Sequence, residues 1–190
     1  PELPNARLVR NQTNLGAVHN LNHGMRIASG SEIVFAAADD VIYPAFFETL
    51  LGLLERYPQA AFASARTDII DFDGKRIDTL NAPIPLLRPG YINGSKAAAL
   101  LMEDEAWFTG NATVFRRKPL LDIGGFPEDL AAFTDGYVSR VLAVKFGSCY
   151  TPDALAAWRR IEGGLAWTHA EDSTRAETIA SRGELRLSQH

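Results

Sequence analysis

Apolar residues along this chain alternate between two spacings. Helical spacing links four residues in the first segment: Val18, Leu21, Met25 and Ala28. This pattern predicts a helix that ends near Gly30, a usual C-terminal residue. The run 31–38 is instead almost continuously apolar, which is typical of a strand covered on both faces of a parallel sheet. After Pro44, residues 46–54 form a broad apolar stripe, so a second helix is predicted there.

The rest of the chain continues this alternation. Segments 60–70 and 75–79 flank Asp71-Phe-Asp-Gly74, and its Asp-Gly pair predicts a hairpin, which we expect at the sheet edge. Three prolines make 81–89 a loop. Five further elements are predicted: a strand at 6–10, a helix at 95–103 with Ser95 as its cap, a strand at 113–115, a short helix at 119–123 and a helix at 135–146. We therefore expect an α/β domain over 1–165, with helices on both faces of its sheet, and a helical tail over 166–190.

Composition excludes several classes of function. The net charge of −4 and pI near 5.6 remove the electrostatic basis for nucleic acid or an anionic membrane as the main partner. A single cysteine, Cys149, excludes an internal disulfide and a cysteine-rich zinc site, which favours the reducing cytoplasm. No apolar run reaches the roughly 20 residues that span a bilayer. We therefore expect a soluble, cytoplasmic protein.

Two adjacent carboxylates, Asp39 and Asp40, follow the predicted strand at 31–38. Open α/β sheets bind ligands at the carboxyl ends of their strands, and Mg²⁺ prefers carboxylate oxygens completed by phosphate and water. A cation site for a phosphate-bearing substrate is one interpretation. The other is a structural pair that caps the following helix.

Three other segments carry candidate chemistry. Asp135 begins a helix, where it either interacts with the helix N-terminus or acts as a general base. The arginines of Trp158-Arg159-Arg160 are either solvated surface residues, or one of them neutralises the negative charge of a leaving group. Trp107, with Asn111 nearby in sequence, is a candidate acceptor-binding pair in which the indole stacks on a sugar, although packing in the core is an equal alternative. Nucleophile elbow, P-loop and dinucleotide-binding glycine patterns do not occur in the sequence.

Short motifs, none specific alone, follow one another between Asn11 and Gly164. In chain order they are Asn14-Leu-Gly16 with Gly24 and Gly30, Ala37-Ala-Asp39-Asp40, Val114-Phe-Arg-Arg117, Ile123-Gly-Gly-Phe126, Asp135 with Arg140 and Gly147, and Trp158-Arg159. Their order and spacing resemble the inverting family 2 of glycosyltransferases, which have the GT-A fold. Ala37-Ala-Asp39-Asp40 lies where that family carries an Asp-x-Asp-Asp signature.

The resemblance implies transfer of a sugar from a nucleotide-sugar donor to a carbohydrate or other hydroxyl acceptor, with inversion. Asp39 and Asp40 would hold Mg²⁺ or Mn²⁺ on the diphosphate, Asp135 would deprotonate the acceptor, and Arg159 would contact the departing phosphates. Bacterial polysaccharide synthesis, with peripheral membrane association of the parent protein, is the expected setting.

The chain departs from the family pattern at several points. Ala37 replaces the first aspartate of the signature, and Ile161 stands where a histidine is often found. The resemblance begins in mid-fold, so the GT-A-like mixed sheet is expected to be incomplete at its N-terminal side. If these 190 residues are the whole protein, the open sheet edge favours a homodimer.

Two rival functions remain open from the sequence. The first is a non-catalytic GT-A-like scaffold or sugar-binding module, which Ala37 and Ile161 favour. The second is a nucleotidyltransferase-like enzyme, although the glycine-rich, lysine-bearing loop expected of that class is not visible.

Overall fold

A computed structural model describes residues 5–103 and 106–161 of the chain. Five helices occur in this part of the chain: α1 (Ala17–Ile27), α2 (Phe46–Arg56), α3 (Gly94–Glu103), α4 (Arg117–Asp122) and α5 (Thr134–Phe146). Seven strands of the same described residues form one sheet: β1 (Glu32–Ile33), β2 (Val41–Ile42), β3 (Phe62–Ile70), β4 (Arg76–Thr79), β5 (Gly90–Ile92), β6 (Thr113–Arg116) and β7 (Ser148–Arg159). Short 3₁₀ helices occupy Gly110–Ala112 and Glu128–Phe133. No helix of the described residues is long and apolar enough to cross a membrane.

The sheet is mixed and is built around two parallel strands, β3 and β7. The first half of β3 pairs with β6, and its second half pairs with β4, both antiparallel. In the same way, the first half of β7 pairs with β5 and its second half with β2. β1 extends the sheet beyond β6. The ends of β3 and β7 therefore lie beside the segment that carries Asp39 and Asp40.

Apolar side chains on both faces of the sheet form two cores. Phe62 of β3 and Tyr150 of β7 pack with α1, α3 and α5 on one face. Their chain neighbours, Ala63 and Cys149, point to the opposite face and pack against α2. This alternation follows from the pleat of a strand, which sends successive side chains to opposite faces. The α/β prediction, with a mixed sheet and helices on both faces, is confirmed.

Three of the strand predictions are wrong. The run 31–38 is not a central buried strand, because only Glu32–Ile33 pairs, and β6 is the only strand beside it among the described residues. Val34 and Phe35 do not extend the pairing of β1. They are apolar because Phe35 packs against the core on one face of the sheet and Val34 against the core on the other. Residues 6–10 form no strand and are exposed. The strand β3 of the predicted edge hairpin lies in the middle of the sheet, since it pairs with three strands.

The helix and loop predictions are largely confirmed. Helices α1, α2 and α5 lie where the periodicity predicts, and 81–89 is irregular. The cap of α3 is Asn93 rather than Ser95, because the Asn93 Oδ1 accepts a hydrogen bond from the Lys96 N–H at 2.9 Å. The tail predicted over 166–190 lies outside the described residues. The homodimer across the open edge of β1 stays a prediction.

A buried carboxylate, Asp68, joins β2, β3 and β4 next to the end of the sheet. Its oxygens accept hydrogen bonds from the Thr79 hydroxyl at 2.7 Å and the Tyr43 hydroxyl at 3.1 Å, and Arg76 Nε lies 2.9 Å away. Burial by itself raises the pKa of Asp68, but these donors outweigh it and leave the pKa below its usual value. The charged form therefore stabilises the fold.

Replacement Asp68→Asn is expected to lower the free energy of unfolding at neutral pH by about 1–3 kcal/mol, because buried donors lose their charged acceptor. A depressed pKa contributes stability above the unfolded pKa, near 3.9, and that contribution is lost as the pH falls through the folded pKa. The difference between wild type and variant should therefore shrink in acid, as measured by urea unfolding at several pH values. Asp73→Asn, at an exposed turn position, is the control and should change little. A pH-independent difference would contradict the prediction.

Candidate functional site

One cleft of about 720 Å³ lies at the end of β3 and β7. Separate parts of the chain line it, among them residues 34–37 with Asp39 and Asp40, the turn at 109–111, the start of α5 and the segment 158–161. Helix α1 closes one side through Val18 and Leu21. Of the predicted site residues, five line this cleft: Asp39, Asp40, Asn111, Asp135 and Arg159.

The two adjacent acids lie in the turn between β1 and β2. Asp39 is exposed, and its carboxylate accepts no hydrogen bond from the described residues. Asp40 is half-buried, and its Oδ1 accepts a hydrogen bond from the Arg159 backbone N–H at 3.0 Å. Burial raises the pKa of Asp40; the Arg159 N–H acts against this, while the charge of Asp39 adds to it, and the net direction is upward. The pair therefore carries negative charge that the surrounding protein does not fully compensate.

Asp135 is the second residue of α5 and enters the cleft from the helix N-terminus. Its Oδ1 accepts a hydrogen bond from the Gly136 N–H at 2.7 Å. Burial raises the pKa of Asp135, although this N–H and the charge of Arg140 act in the other direction. Gly110 makes room for the carboxylate, because a Cβ there would lie 3.0 Å from the Asp135 Oδ2. A carboxylate with a raised pKa, in a cleft, is a candidate general base.

Three polar side chains also line the cleft, those of Thr67, Thr109 and Asn111. The Thr67 and Thr109 hydroxyls are 2.6 Å apart, and the Thr67 Oγ1 lies 3.3 Å from the Asn111 Oδ1. The Asn111 amide is close enough to Asp40 to lower that carboxyl's pKa, but its buried Nδ2 has no hydrogen-bond partner of good geometry. Because this amide is buried beside Asp40, its effect falls on that carboxylate. Sequence reasoning missed Thr67, although a hydroxyl inside an apolar strand is a signal that could have indicated it.

Arg159 holds two loops together rather than projecting freely into the cleft. Its Nε donates to the Asp39 carbonyl at 2.8 Å, and its Nη1 donates to the carbonyls of Asp71 and Phe72 at 2.8 and 2.6 Å. The side chain thus ties the acid-bearing turn to the β3–β4 hairpin. Arg160 also lines the cleft, is exposed, and lies over the Trp158 ring at 5.8 Å.

Trp107 does not line this cleft, and its predicted role in stacking on an acceptor sugar stays a prediction. The side chain is only 2% exposed and packs edge-on against Phe108, with ring centroids 5.2 Å apart. It lines a separate cavity of about 470 Å³ beside the 81–89 loop. The packing alternative accounts for the burial of its ring, because aromatic side chains gain most of their stabilisation from buried area.

Whether a divalent cation fits depends on Asp39 and Asp40. Residues 5–103 and 106–161 contain no group of three or more histidine, cysteine or acidic residues arranged to hold a metal. Two carboxylates are nevertheless the usual protein share of a Mg²⁺ site, in which phosphate and water supply the remaining oxygens. Uncompensated charge and a free Asp39 carboxylate match that chemistry. The residues therefore fit Mg²⁺ or Mn²⁺ held jointly with a diphosphate, and not a stand-alone metal.

Comparison with known proteins decides the family. The sequence pattern described as Glycosyl transferase family 2 matches residues 2–124, which is more than half of the chain. The chain belongs to glycosyl transferase family 2. This match includes Asp39, Asp40, Trp107 and Asn111, and it ends before Asp135 and Arg159.

Relatives of this family 2 chain are about twice its length. "Uncharacterized protein MT1568" of Mycobacterium tuberculosis (strain CDC 1551 / Oshkosh) is 29% identical over 161 residues, covering 82% of this chain and 50% of the relative. A mannosyltransferase from Pyrobaculum calidifontis, solved with GDP-Man and Mn²⁺, is 18% identical with a TM-score of 0.61, covering 97% of this chain and 47% of that one. S. aureus TarS, solved with UDP-GlcNAc, is 13% identical with a TM-score of 0.61, covering 83% and 43%.

These structural similarities establish the GT-A fold. At identities of 18% and 13% they do not transfer a donor or an acceptor to this chain. Membership of glycosyl transferase family 2 and the mixed α/β GT-A fold are confirmed, whereas inversion and the roles of individual site residues stay predictions.

Proposed function

We propose that this chain carries the diphosphate-binding and base-bearing part of an inverting glycosyltransferase that uses a nucleotide-sugar donor. The observation that supports it most is that Asp39, Asp40 and Asp135 line one cleft, although 95 or more residues separate the pair from Asp135. Family 2 membership, and solved neighbours that hold UDP-GlcNAc or GDP-Man, agree with a nucleotide-sugar donor.

Asp135 accepts the proton in the proposed reaction. The acceptor oxygen forms a bond to the anomeric carbon as its proton moves to the Asp135 carboxylate, and the bond from that carbon to the diphosphate oxygen breaks. Attack from the face opposite the leaving group inverts the anomeric configuration. Burial assists this role, because a carboxylate with a raised pKa holds the proton more strongly.

Asp39 and Asp40 hold the cation in this proposal. When bound, Mg²⁺ or Mn²⁺ supplies a positive charge that stabilises the departing diphosphate. The Asn111 side chain lies beside Asp40 and helps to keep that carboxyl ionised, since it lowers its pKa. Arg160 is better placed than Arg159 to meet the phosphates, since the Arg159 Nε and Nη1 already donate to backbone carbonyls. Arg159 then acts as a positioning residue for the acid pair.

A non-catalytic sugar-binding module is the second candidate, and two positions favour it. Ala37 and Ile161, where the family pattern has other residues, both line the cleft. Such a module would bind the nucleotide sugar but not transfer the sugar. Family membership leaves the nucleotidyltransferase alternative without support.

Calorimetry with UDP and GDP, with and without Mn²⁺, tests the proposal. We expect Mn²⁺-dependent binding of one nucleotide, which would also identify the donor base. Incubation with the matching nucleotide sugars and a panel of saccharides then separates the two candidates, because only the transferase releases free nucleoside diphosphate. Lack of nucleotide binding with or without the metal would refute both.

A further inference from the structure

The turn Thr109-Gly110-Asn111 contacts both the candidate base and one of the two adjacent acids. Gly110 packs directly on the base, because a Cβ at this position would lie 3.0 Å from the Asp135 Oδ2. The Asn111 side chain lies close enough to Asp40 to lower the pKa of that carboxyl. A movement of this one turn would therefore disturb Asp40 and Asp135 together.

Thr67 attaches the turn to the middle of the sheet. This threonine belongs to β3 and is only 2% exposed. Its Oγ1 lies 2.6 Å from the Thr109 Oγ1 and 3.3 Å from the Asn111 Oδ1. A hydroxyl can donate one hydrogen bond while it accepts another. When Thr67 donates to the Asn111 carbonyl oxygen, the Thr109 hydroxyl donates to Thr67, and one side chain holds both ends of the turn.

A second contact to the turn is local in the chain. The Thr113 hydroxyl donates to the Thr109 carbonyl at 2.6 Å, and only four residues separate the two. Thr113 is the first residue of β6, so this bond shapes the connection between turn and strand. Thr67, in contrast, lies 42 and 44 residues from its two partners. The Thr67 hydroxyl is thus the contact that fixes the turn relative to β3.

We propose that Thr67 is a positioning residue for sugar transfer, which acts through the 109–111 turn to fix Asp135 and Asp40 relative to each other. The inference rests on the proposed function and adds to it a residue whose hydroxyl acts through protein contacts. Displacing a catalytic group by about 1 Å can lower a rate about 10²-fold, so the position of such a turn matters. Gly110 leaves the space in which the Asp135 carboxylate lies.

The ionisation of Asp135 reports the position of the turn. The 109–111 turn carries no charge of its own, so its influence on this carboxylate comes through burial. On α5 itself, the Gly136 N–H and the charge of Arg140 lower the pKa of Asp135, and burial raises it. Four further charged groups line the same cleft: Asp39, Asp40, Arg159 and Arg160.

Titration of the Asp135 carboxyl carbon by NMR, in the whole 190-residue chain labelled with ¹³C-aspartate, tests the inference without any substrate. Loss of one resonance in Asp135→Asn assigns the group. Gly110→Ala should raise the pKa of Asp135 further, because the added methyl group excludes water from its Oδ2. Thr67→Val should lower that pKa, because the released turn leaves the carboxylate more exposed to water.

Transfer kinetics give the second readout. Thr67→Val keeps the shape of the side chain and removes its hydroxyl, and it should lower kcat by about 10- to 100-fold. Thr67→Ser keeps the hydroxyl and should restore most of the rate. The double variant with Thr109→Val should be little slower than Thr67→Val, because both changes break the same contact. Should Thr67→Val fail to fold, Thr109→Val breaks that contact from the partly exposed side.

Two variants serve as matched controls. Ser64→Ala also removes a buried hydroxyl from β3, but that hydroxyl donates to the Cys149 carbonyl at 3.4 Å and does not line the cleft. Gly52→Ala adds a methyl group on the exposed side of α2, where nothing lies within 4 Å. Both should keep the wild-type transfer rate and the wild-type titration of Asp135.

The inference is overturned if Gly110→Ala leaves the Asp135 titration unchanged, or if Thr67→Val shifts it no more than Ser64→Ala does. A rate in Thr67→Val equal to that of Ser64→Ala would also overturn it. Shifted titrations in a chain that transfers no sugar would refute the proposed function alone and leave the Thr67 contact to the turn intact. Failure of the positioning role and failure of the proposed function are therefore distinguishable.

Discussion

Replacement Asp135→Asn is expected to lower the rate of sugar transfer by about 10²–10⁴-fold, the usual contribution of a general base. The amide is nearly isosteric and can still accept the Gly136 N–H, so the start of α5 should keep its structure. Nucleotide binding in the presence of Mn²⁺ should change little. Steady-state kinetics with the donor identified by calorimetry, together with that binding measurement, check both expectations.

The pH dependence of the wild type gives a second readout of the same residue. Only the deprotonated Asp135 can accept a proton, so activity should rise with pH through its folded pKa, which burial raises above the usual 3.8. This acidic limb should be absent from the residual activity of Asp135→Asn. Glu128→Gln, at an exposed position shortly before α5, serves as the control and should retain wild-type rates. If Asp135→Asn kept more than a tenth of the activity, another group would have to be the base.

Replacement Asp40→Asn should weaken Mn²⁺-dependent nucleotide binding by at least about tenfold, with a similar loss in Asp39→Asn. Asparagine keeps an oxygen for the Arg159 backbone N–H, so the variant removes charge more than structure. Because burial raises the pKa of Asp40, protons should compete with the metal, and the wild-type affinity should fall as the pH is lowered. Calorimetric titration of each variant with the nucleotide, with and without Mn²⁺, measures these losses.

Asp153→Asn is the matched control, since this exposed carboxylate lies on β7 and does not line the cleft. Its nucleotide affinity should equal that of the wild type. Unchanged Mn²⁺ dependence in both Asp39→Asn and Asp40→Asn would show that the metal is held elsewhere.

Arg159 illustrates how far a motif can predict a role. The sequence places Trp158-Arg159 after an apolar run, and the resemblance implied a contact with the departing phosphates. In the fold, its guanidinium donates to backbone carbonyls of Asp39, Asp71 and Phe72, which are 87 to 120 residues away. Those partners could not be identified from the sequence, because they come together only when β2, β3 and β7 pair.

Local sequence by itself determined the helices, the 81–89 loop and the turn before β4. Helical spacing, caps and proline act over a few residues, so their effect does not depend on the rest of the fold. The position of acids at element ends, Asp39 and Asp40 after an apolar run and Asp135 at the start of α5, was also visible in the sequence. The order of short motifs was enough to indicate the family.

Only the tertiary structure decided which strands pair and which side chains meet. An apolar run reports burial and not pairing, so 31–38 was expected in the sheet centre although β3 and β7 occupy it. Contacts between distant segments place Thr67 in the cleft and Trp107 beside a second cavity. Strand pairing and register depend on such long-range contacts, and local sequence periodicity does not encode them.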